Sequence, residues 1–284
     1  MKNLFFKLNE ELGRYFLYRV LRFLFRKINE NVRSFLWNNT KIYLKNKNKL
    51  EKLKGKHDGE RVFIIGNGPS INKMDLTKLK NENFIACNAF FLKSQEIGLP
   101  LKYYCVEDIH PAWDNRNEIE KLDCEEIFIP SDLKWMYNKN QNINFLNFHR
   151  SYLNRKNKDF PFFSKNITKE CYWGGTVTFL CMQLAVFLGF KEIILIGIDL
   201  TYVIPSDAKI KGNVITTLGE DPNHFDGRYF GYGKKWHIPD TEFMNNSIVS
   251  GFKECKKMGI NVYNATIGGN LTHIPRVNFN DIFK

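Results

Sequence analysis

From Arg61 onward the chain alternates short apolar runs with stretches of helical period. Val62 to Ile65 are all apolar and run straight into Gly66-Asn-Gly-Pro-Ser70. A run of that length, bounded by Gly and Pro, reads as a buried strand ending in a sharp turn. Phe84–Asn88, Leu101–Val106, Glu126–Pro130 and Ile143–Phe148 are predicted as further strands. Glu192–Ile198 is the most buried strand candidate, and Ile260–Tyr263 closes the series. Gly175–Leu188 is predicted as a helix. A second is predicted over residues 240–258, with Lys256 and Lys257 in its last turn and Gly259 as its stop. Near-continuous apolar strands separated by helices predict an α/β fold with a doubly wound, mostly parallel, Rossmann-like sheet.

The pattern before Arg61 differs. Leu12, Phe16, Leu17, Val20, Leu21, Leu24, Phe25 and Ile28 recur at helical spacing, with Arg14, Arg19, Arg22, Arg26 and Lys27 between them. Residues 1–60 therefore read as a basic amphipathic helical segment, of which 41–60, rich in Lys and Asn, is a linker. The body is expected over 61–284, with a lid over 203–240. The formal charge of +12 is uneven: 15 Lys/Arg stand against 6 Asp/Glu in residues 1–60. No apolar run approaches the roughly 20 residues that cross a bilayer, and no small-residue cleavage site follows. Two readings of the segment stay open. It lies on an anionic membrane, aromatic side chains down and Lys/Arg at the headgroups, or it packs on the body or a second subunit.

Composition narrows the class. Of the 284 residues 43% are hydrophobic and 15% aromatic, enough for a large core. The six cysteines, Cys87, Cys105, Cys124, Cys171, Cys181 and Cys255, form no C-x-x-C pair and sit mostly in apolar runs. That favours reduced, buried thiols in a cytosolic protein over disulfides or a zinc site. The basic excess is confined to one aromatic-rich segment, which argues against nucleic-acid binding.

In an open α/β sheet, ligands gather at the carboxyl ends of the strands. The first strand ends in Gly66, Asn67, Gly68, Pro69 and Ser70; the second in Asn88; the third in Glu107 and Asp108; the Ile193–Ile198 run in Asp199. Gly174, Gly175 and Thr176 precede a helix, whose N-terminus suits a phosphate. Gly66 and Gly68 are expected either to take φ > 0 in a tight turn or to let a ligand lie on the backbone. The Asn67 and Asn88 amides each offer a donor and an acceptor for a ribose or base edge. No Gly-Lys-Ser/Thr follows, so this is not a Walker A loop. Ile71 stands where a dinucleotide fingerprint has its third glycine. Singly, each residue reads equally well as a turn or a cap. Together, at several strand ends, they predict a nucleotide crevice.

Asp221 to Asp240 is rich in Gly and aromatics and fits neither a helix nor an alternating strand, as expected of a lid. It carries His224 and His237, each a candidate general base or a structural imidazole. Tyr202 and other tyrosines are candidates to hydrogen-bond a leaving phosphate. No Asp-x-Asp pair surrounds Asp199, so a metal-bridged diphosphate has little support.

Phe63-Ile-Ile-Gly-Asn-Gly-Pro-Ser70, Cys87-Asn88, Gly174-Gly175, Leu188-Gly-Phe-Lys-Glu-Ile-Ile-Leu-Ile-Gly-Ile-Asp199 and the late His-containing loop resemble the bacterial sialyltransferases of glycosyltransferase family 42. Their order and spacing also resemble the MptE-like (DUF115) domain of archaeal 6-hydroxymethylpterin pyrophosphokinases and of Maf flagellin-glycosylation proteins. Asn264-Ala-Thr-Ile-Gly-Gly269 is nearer to the latter. The resemblance spans about residues 61–275 and implies a GT-A-variant sheet.

The sialyltransferase side implies an inverting transfer from a CMP-activated acidic sugar without a metal cofactor. Asn67, Asn88, Gly174 and Gly175 would hold the donor, with Asp199 near the ribose. His237 falls where that family has its base, and Tyr202 would meet the departing phosphate. Asp108 falls near a substrate-binding asparagine. Gly174 replaces a serine, and Tyr202 is shifted by one position. The implied acceptor is a glycan or lipid-linked glycan at the inner face of the cytoplasmic membrane, with a homo-oligomer possible in principle. The MptE side implies diphosphoryl transfer from ATP to a pterin-type alcohol, with Mg²⁺ held by Asp108 and Asp199. A non-catalytic nucleotide- or glycan-binding module is the third reading.

Overall fold

The computed structural model describes residues 30–137, 139–150 and 160–284. The helix expected through Leu12–Ile28 lies outside the described residues. Two compact units divide between Lys47 and Asn48. In the first, helix α1 (Glu30–Asn39) leads to helix α2 (Lys41–Glu51), which runs across the division. The Trp37 and Tyr43 rings pack 4.9 Å apart, and Lys47 Nζ donates to Asn38 Oδ1 at 2.9 Å. The linker expected over 41–60 is therefore helical to Glu51. Lys41, Lys45 and Asn48 are exposed on this helix, while Asn46 and Leu50 are buried.

The second unit is built on a seven-stranded sheet. Its strands are β1 (Arg61–Ile65), β2 (Phe84–Cys87), β3 (Leu101–Cys105), β4 (Cys124–Pro130), β5 (Ile143–Leu146), β8 (Glu192–Ile196) and β12 (Asn261–Asn264). Between β5 and β8 lie β6 (Phe148–His149) and β7 (Cys171–Tyr172), which pair with each other. The strand order is β12-β8-β1-β2-β3-β4-β5, and every pairing is parallel. This is a Rossmann-like α/β fold. Val62 to Ile65 and Ile193 to Ile196 are buried along their whole length, as strands covered on both faces must be.

Crossovers come from helices α3 (Phe91–Ile97), α4 (Ile109–Asp114), α5 (Arg116–Glu120), α6 (Val177–Leu188) and α7 (Thr241–Lys257). α6 is apolar all round and buried. It is capped by the Thr176 hydroxyl, which accepts from the Thr178 N–H, and it stops at Gly189 with φ +99°. α7 starts on Asp240, whose side chain accepts from the Phe243 N–H.

Three boundaries depart from the sequence pattern. The strand read through Ile143–Phe148 breaks at Asn147, whose amide turns to the Lys169 carbonyl and starts the separate β6–β7 pair. The strand read through Ile198 ends at Ile196, because Gly197 has φ +67° and turns the chain away. The excursion expected to be irregular contains an antiparallel sheet of β9 (Lys209–Lys211), β10 (Val214–Thr216) and β11 (Lys235–His237), in the order β11-β10-β9. Three-residue strands are too short to show alternation, so their sequence reads as loop.

Candidate active site

β1 is followed in the sheet by β2 on one side and by β8 on the other. The connections thus leave β1 and β8 in opposite directions, and a crevice opens between their carboxyl ends, as such switch points require. Its walls come from Gly66, Asn67 and Gly68 after β1, Cys87 and Asn88 at β2, Gly197 to Tyr202 after β8, Thr176 to Thr178 at the start of α6, and Asn223, His224, Tyr229 and Met244.

The glycines after β1 lie against the turn that follows β8. A Cβ on Gly66 would strike the Gly197 carbonyl and Ile198, and one on Gly68 would strike the Asp199 carboxylate. Neither residue has positive φ; Gly68 sits at φ −68°. Their missing side chains let the β8 turn lie against the β1 turn. Gly68 N–H donates to the Gly197 carbonyl at 3.0 Å and Gly66 N–H to the Ile196 carbonyl at 2.8 Å. Gly174 and Gly175, expected at a phosphate, are not part of the crevice wall. Side chains there would collide with Phe179 and Phe243 respectively. Thr176 alone of that trio lines the crevice.

Asp199 serves the turn as well. Ser70 donates its N–H to Asp199 Oδ1 at 3.2 Å and its hydroxyl to Oδ2 at 2.7 Å, tying the short helix after Pro69 to the end of β8. Ser70 is buried behind this contact and does not line the crevice. Beyond Asp199, Leu200 adopts φ +52°, a left-handed conformation that costs of order 1–3 kcal/mol for such a residue. It is held there by Asn270, whose N–H donates to the Asp199 carbonyl at 2.8 Å and whose amide donates to the Leu200 carbonyl at 3.2 Å. Nothing in the sequence pattern marks Leu200; Gly268-Gly269 is the only nearby cue.

The two asparagines give the crevice its chemistry. Asn67 Nδ2 donates to the Cys87 carbonyl at 3.3 Å and toward Cys87 Sγ at 3.2 Å. Asn88 is left-handed at φ +50°, and its carbonyl accepts from the Tyr104 hydroxyl at 2.5 Å. Asn67 Oδ1 and Asn88 Oδ1 are both buried without a hydrogen-bond partner. An unpaired buried acceptor costs about 1–3 kcal/mol unless a ligand or water supplies a donor. Two of them in one wall are set to receive N–H or O–H groups.

His224 lines the crevice, stacked on Tyr229 at 3.8 Å and 3°. Its Nδ1 is 2.7 Å from Oδ2 of buried Asp221, which also accepts from the Phe230 N–H at 3.0 Å. With Nδ1–H donated, Nε2 is the remaining acceptor. Asp221 was not singled out from sequence; its i, i+3 spacing to His224 is the signal that would have found it. Tyr202 also lines the crevice, and burial, with Asp221 and Asp199 adding to it, pushes its hydroxyl up to about 12. Tyr202 therefore stays a donor at neutral pH.

His237 and Asp108 stand outside the crevice wall, paired with each other: His237 Nδ1 lies 3.0 Å from Asp108 Oδ2. Asp108 follows β3, the neighbour of β2 whose end carries Asn88. Asp108 Oδ1 caps α4 by accepting from the His110 N–H at 2.8 Å, and the His110 and His237 rings lie 4.6 Å apart. Burial pushes the Asp108 carboxyl up, but the hydrogen bond and charge of His237, with His110 beside it, outweigh that and hold it well below the ordinary carboxylate range. Next to it, Glu107 is buried and raised to about 8 by loss of solvent, against the nearby Arg150 charge.

Asp199 is bound by Ser70, Asp108 by His237, and only Asp199 lines the crevice. Among the described residues no three His, Cys, Asp or Glu are grouped to hold a metal ion. Also among them, no helix is long and apolar enough to cross a membrane.

Comparison with known proteins places this geometry. A family model described as MptE-like, 6-hydroxymethylpterin diphosphokinase MptE-like, matches residues 33–205. No curated protein matches the chain. Two solved glycosyltransferase structures are similar. The Maf glycosyltransferase from Magnetospirillum magneticum AMB-1 is 16% identical, with a TM-score of 0.49 over 82% of this chain and 38% of that one. The chain thus spans well under half the length of that protein. The sialyltransferase CstII from Campylobacter jejuni, solved in complex with a substrate analogue, cytidine-5'-monophosphate, is 17% identical, with a TM-score of 0.42 over 78% of this chain and 86% of that one.

Proposed function

The chain belongs to the MptE-like family, and from that footing we propose that it is an inverting glycosyltransferase that uses a CMP-activated acidic sugar without a metal ion. The observation that carries the reading is the pair of unpartnered acceptors, Asn67 Oδ1 and Asn88 Oδ1, in the wall of a switch-point crevice, with a carboxylate-oriented imidazole paired to Asp108 just past the neighbouring strand β3. A cytosine amine and ribose hydroxyls are donors of the kind those oxygens lack. Thr176 and Thr178, at the N-terminus of α6, offer hydroxyl groups to the single phosphate.

In this reading the sugar extends from the crevice toward His237. Asp108 takes the His237 Nδ1 proton in a hydrogen bond and so leaves Nε2 as the base. Nε2 accepts the acceptor hydroxyl's proton as that oxygen forms its bond to the anomeric carbon. The bond from that carbon to the phosphate oxygen breaks, and CMP departs with the electron pair. Tyr202, protonated throughout, donates to the phosphate as its charge grows. His224, fixed between Asp221 and Tyr229, is wall and hydrogen-bond partner in the crevice rather than the base. The acceptor is a glycan or a lipid-linked glycan reached at the cytoplasmic face of the membrane.

The family's description favours a second reading, diphosphoryl transfer from ATP to a pterin-type alcohol. It calls for Mg²⁺, for which Asp108, paired with His237, and Asp199, paired with Ser70, are the candidate carboxylates. Incubating the full chain with a CMP-sugar in EDTA separates the two. Slow release of CMP supports the glycosyltransferase; turnover of ATP only, and only with Mg²⁺, supports the diphosphokinase.

A further inference from the structure

The small sheet that carries His237 has two unlike faces. Ile210, Ile215 and Trp236 are in register across it, and burial of Ile215 and Trp236 turns their face inward. The opposite face holds Lys211, Val214 and His237 in one register row and Lys209, Thr216 and Lys235 in the next. None of these residues is acidic, three are lysines, and one is the imidazole held by Asp108.

The strand order β11-β10-β9 gives that face a direction. His237 Nδ1 meets Asp108 at 3.0 Å and its ring lies 4.6 Å from that of His110, so β11 is the strand set against α4. From His237 the row runs away from Asp108, through Val214 to Lys211. Each in-register step is about 5 Å between Cα atoms, which puts the Lys211 Cα about 10 Å from that of His237, close enough for a four-carbon stem to bridge. Lys209 and Lys211 are exposed, and neither has a hydrogen bond or ion pair among the described residues. Lys235 is half-buried, and its N–H donates to Asp114 Oδ2 at 3.4 Å. The hairpin between Lys211 and Val214 is fixed by Gly212 at φ +63° and by the Ile238 N–H, which donates to the Asn213 carbonyl at 3.0 Å. None of these residues lines the crevice. Lysines on an edge strand also discourage another strand from adding, but that task does not require them to share a face with a half-exposed histidine.

We propose that this face binds an anionic group of the acceptor, a phosphate or a carboxylate carried near the hydroxyl that loses its proton to His237. The inference rests on the transfer proposed above, in which His237 is the base. In that transfer the donor comes to His237 from the crevice and the ends of β2 and β3, so lysines on the far side of His237 meet the other substrate. Positive charge beside the base raises the local concentration of an anionic acceptor and favours its approach.

The test reads binding rather than transfer. The Cε1 proton resonance of His237, assigned by its loss in His237→Ala, is followed by NMR in the full chain with CMP already present. Inorganic diphosphate and glucuronate are the anionic probes, and glucose is the neutral one. At low ionic strength, where screening is weak, at least one anion should shift the resonance saturably while glucose does not. Tighter binding of diphosphate assigns a phosphate-bearing acceptor, and tighter binding of glucuronate a carboxylate-bearing one. Lys209→Ala with Lys211→Ala should weaken that binding roughly 2- to 30-fold, the range for two exposed ion pairs, whereas Lys209→Arg with Lys211→Arg should retain it. No saturable shift, an equal response to glucose, or undiminished binding by the alanine variant overturns the proposal. Binding of CMP, read separately from the melt, tells the two failures apart. A chain that binds CMP and no anion fails this proposal alone, and one that binds the anion but not CMP keeps the anion site and loses the donor.

Discussion

His237 and Glu107 are two titratable side chains near one strand end with opposite tasks. His237 is held by a carboxylate and half-exposed, as a base that meets an incoming hydroxyl has to be. His237→Ala should lower transfer by roughly 10²–10⁴-fold, with the thermal melt unchanged, while the CMP affinity measured by titration should hold, because the proposed reading puts the nucleotide in the crevice and His237 outside its wall. Asp108→Asn should cost roughly 10–100-fold. Undiminished transfer by His237→Ala would remove His237 as the base and turn attention to His224. Glu107 touches neither. Its carboxyl ionises near about 8 in the folded chain against an ordinary value of 4.5. The folded state therefore keeps a proton that the unfolded state loses, and stability falls as pH rises from about 4.5 to about 8. Glu107→Gln removes that fall. Melts at pH 5 and pH 8 should show the variant gaining on the native chain at the higher pH, by up to about 4 kcal/mol.

At the scale of elements, the turns after β1 and β8 act as one piece. Gly66→Ala would push a methyl into the Gly197 backbone, which has no flexible side chain to yield. Denaturant unfolding should report a loss of about 1–3 kcal/mol, the usual cost of overpacking. Gly68→Ala would instead displace the Asp199 carboxylate from Ser70, loosening the crevice wall, so its loss should appear in CMP affinity as well. The long strands were legible in the sequence because Val62–Ile65 and Ile193–Ile196 are continuous apolar runs, and a parallel sheet buries both faces. What escaped was local. Gly66 and Gly68 read as room for a ligand; both line the crevice, and the neighbouring turn also needs them bare, which sequence cannot tell. Gly174 and Gly175 lie off the crevice wall, with Phe179 and Phe243 filling the space beside them. β9 to β11 are too short to carry a period, and Leu200 owes its left-handed backbone to Asn270, 70 residues away.

Across the whole molecule, the strand order places two kinds of chemistry in one row. The switch between β1 and β8 opens the crevice, and the strand ends of β2 and β3 lead from Asn88 to the Asp108–His237 pair. That progression matches a ligand with a nucleotide at one end and a reacting carbon at the other. The matched family is described by a diphosphokinase, so the nucleotide is where the two proposed readings part. A ligand that binds only the native state raises apparent stability by mass action, about 2.7 kcal/mol at a hundred times its Kd. The direct measurement is therefore the thermal melt of the full chain in EDTA with increasing CMP, set beside ATP with Mg²⁺. A saturable rise in Tm with CMP and no metal is the expected result. No response to CMP, with a rise that needs both ATP and Mg²⁺, would contradict it.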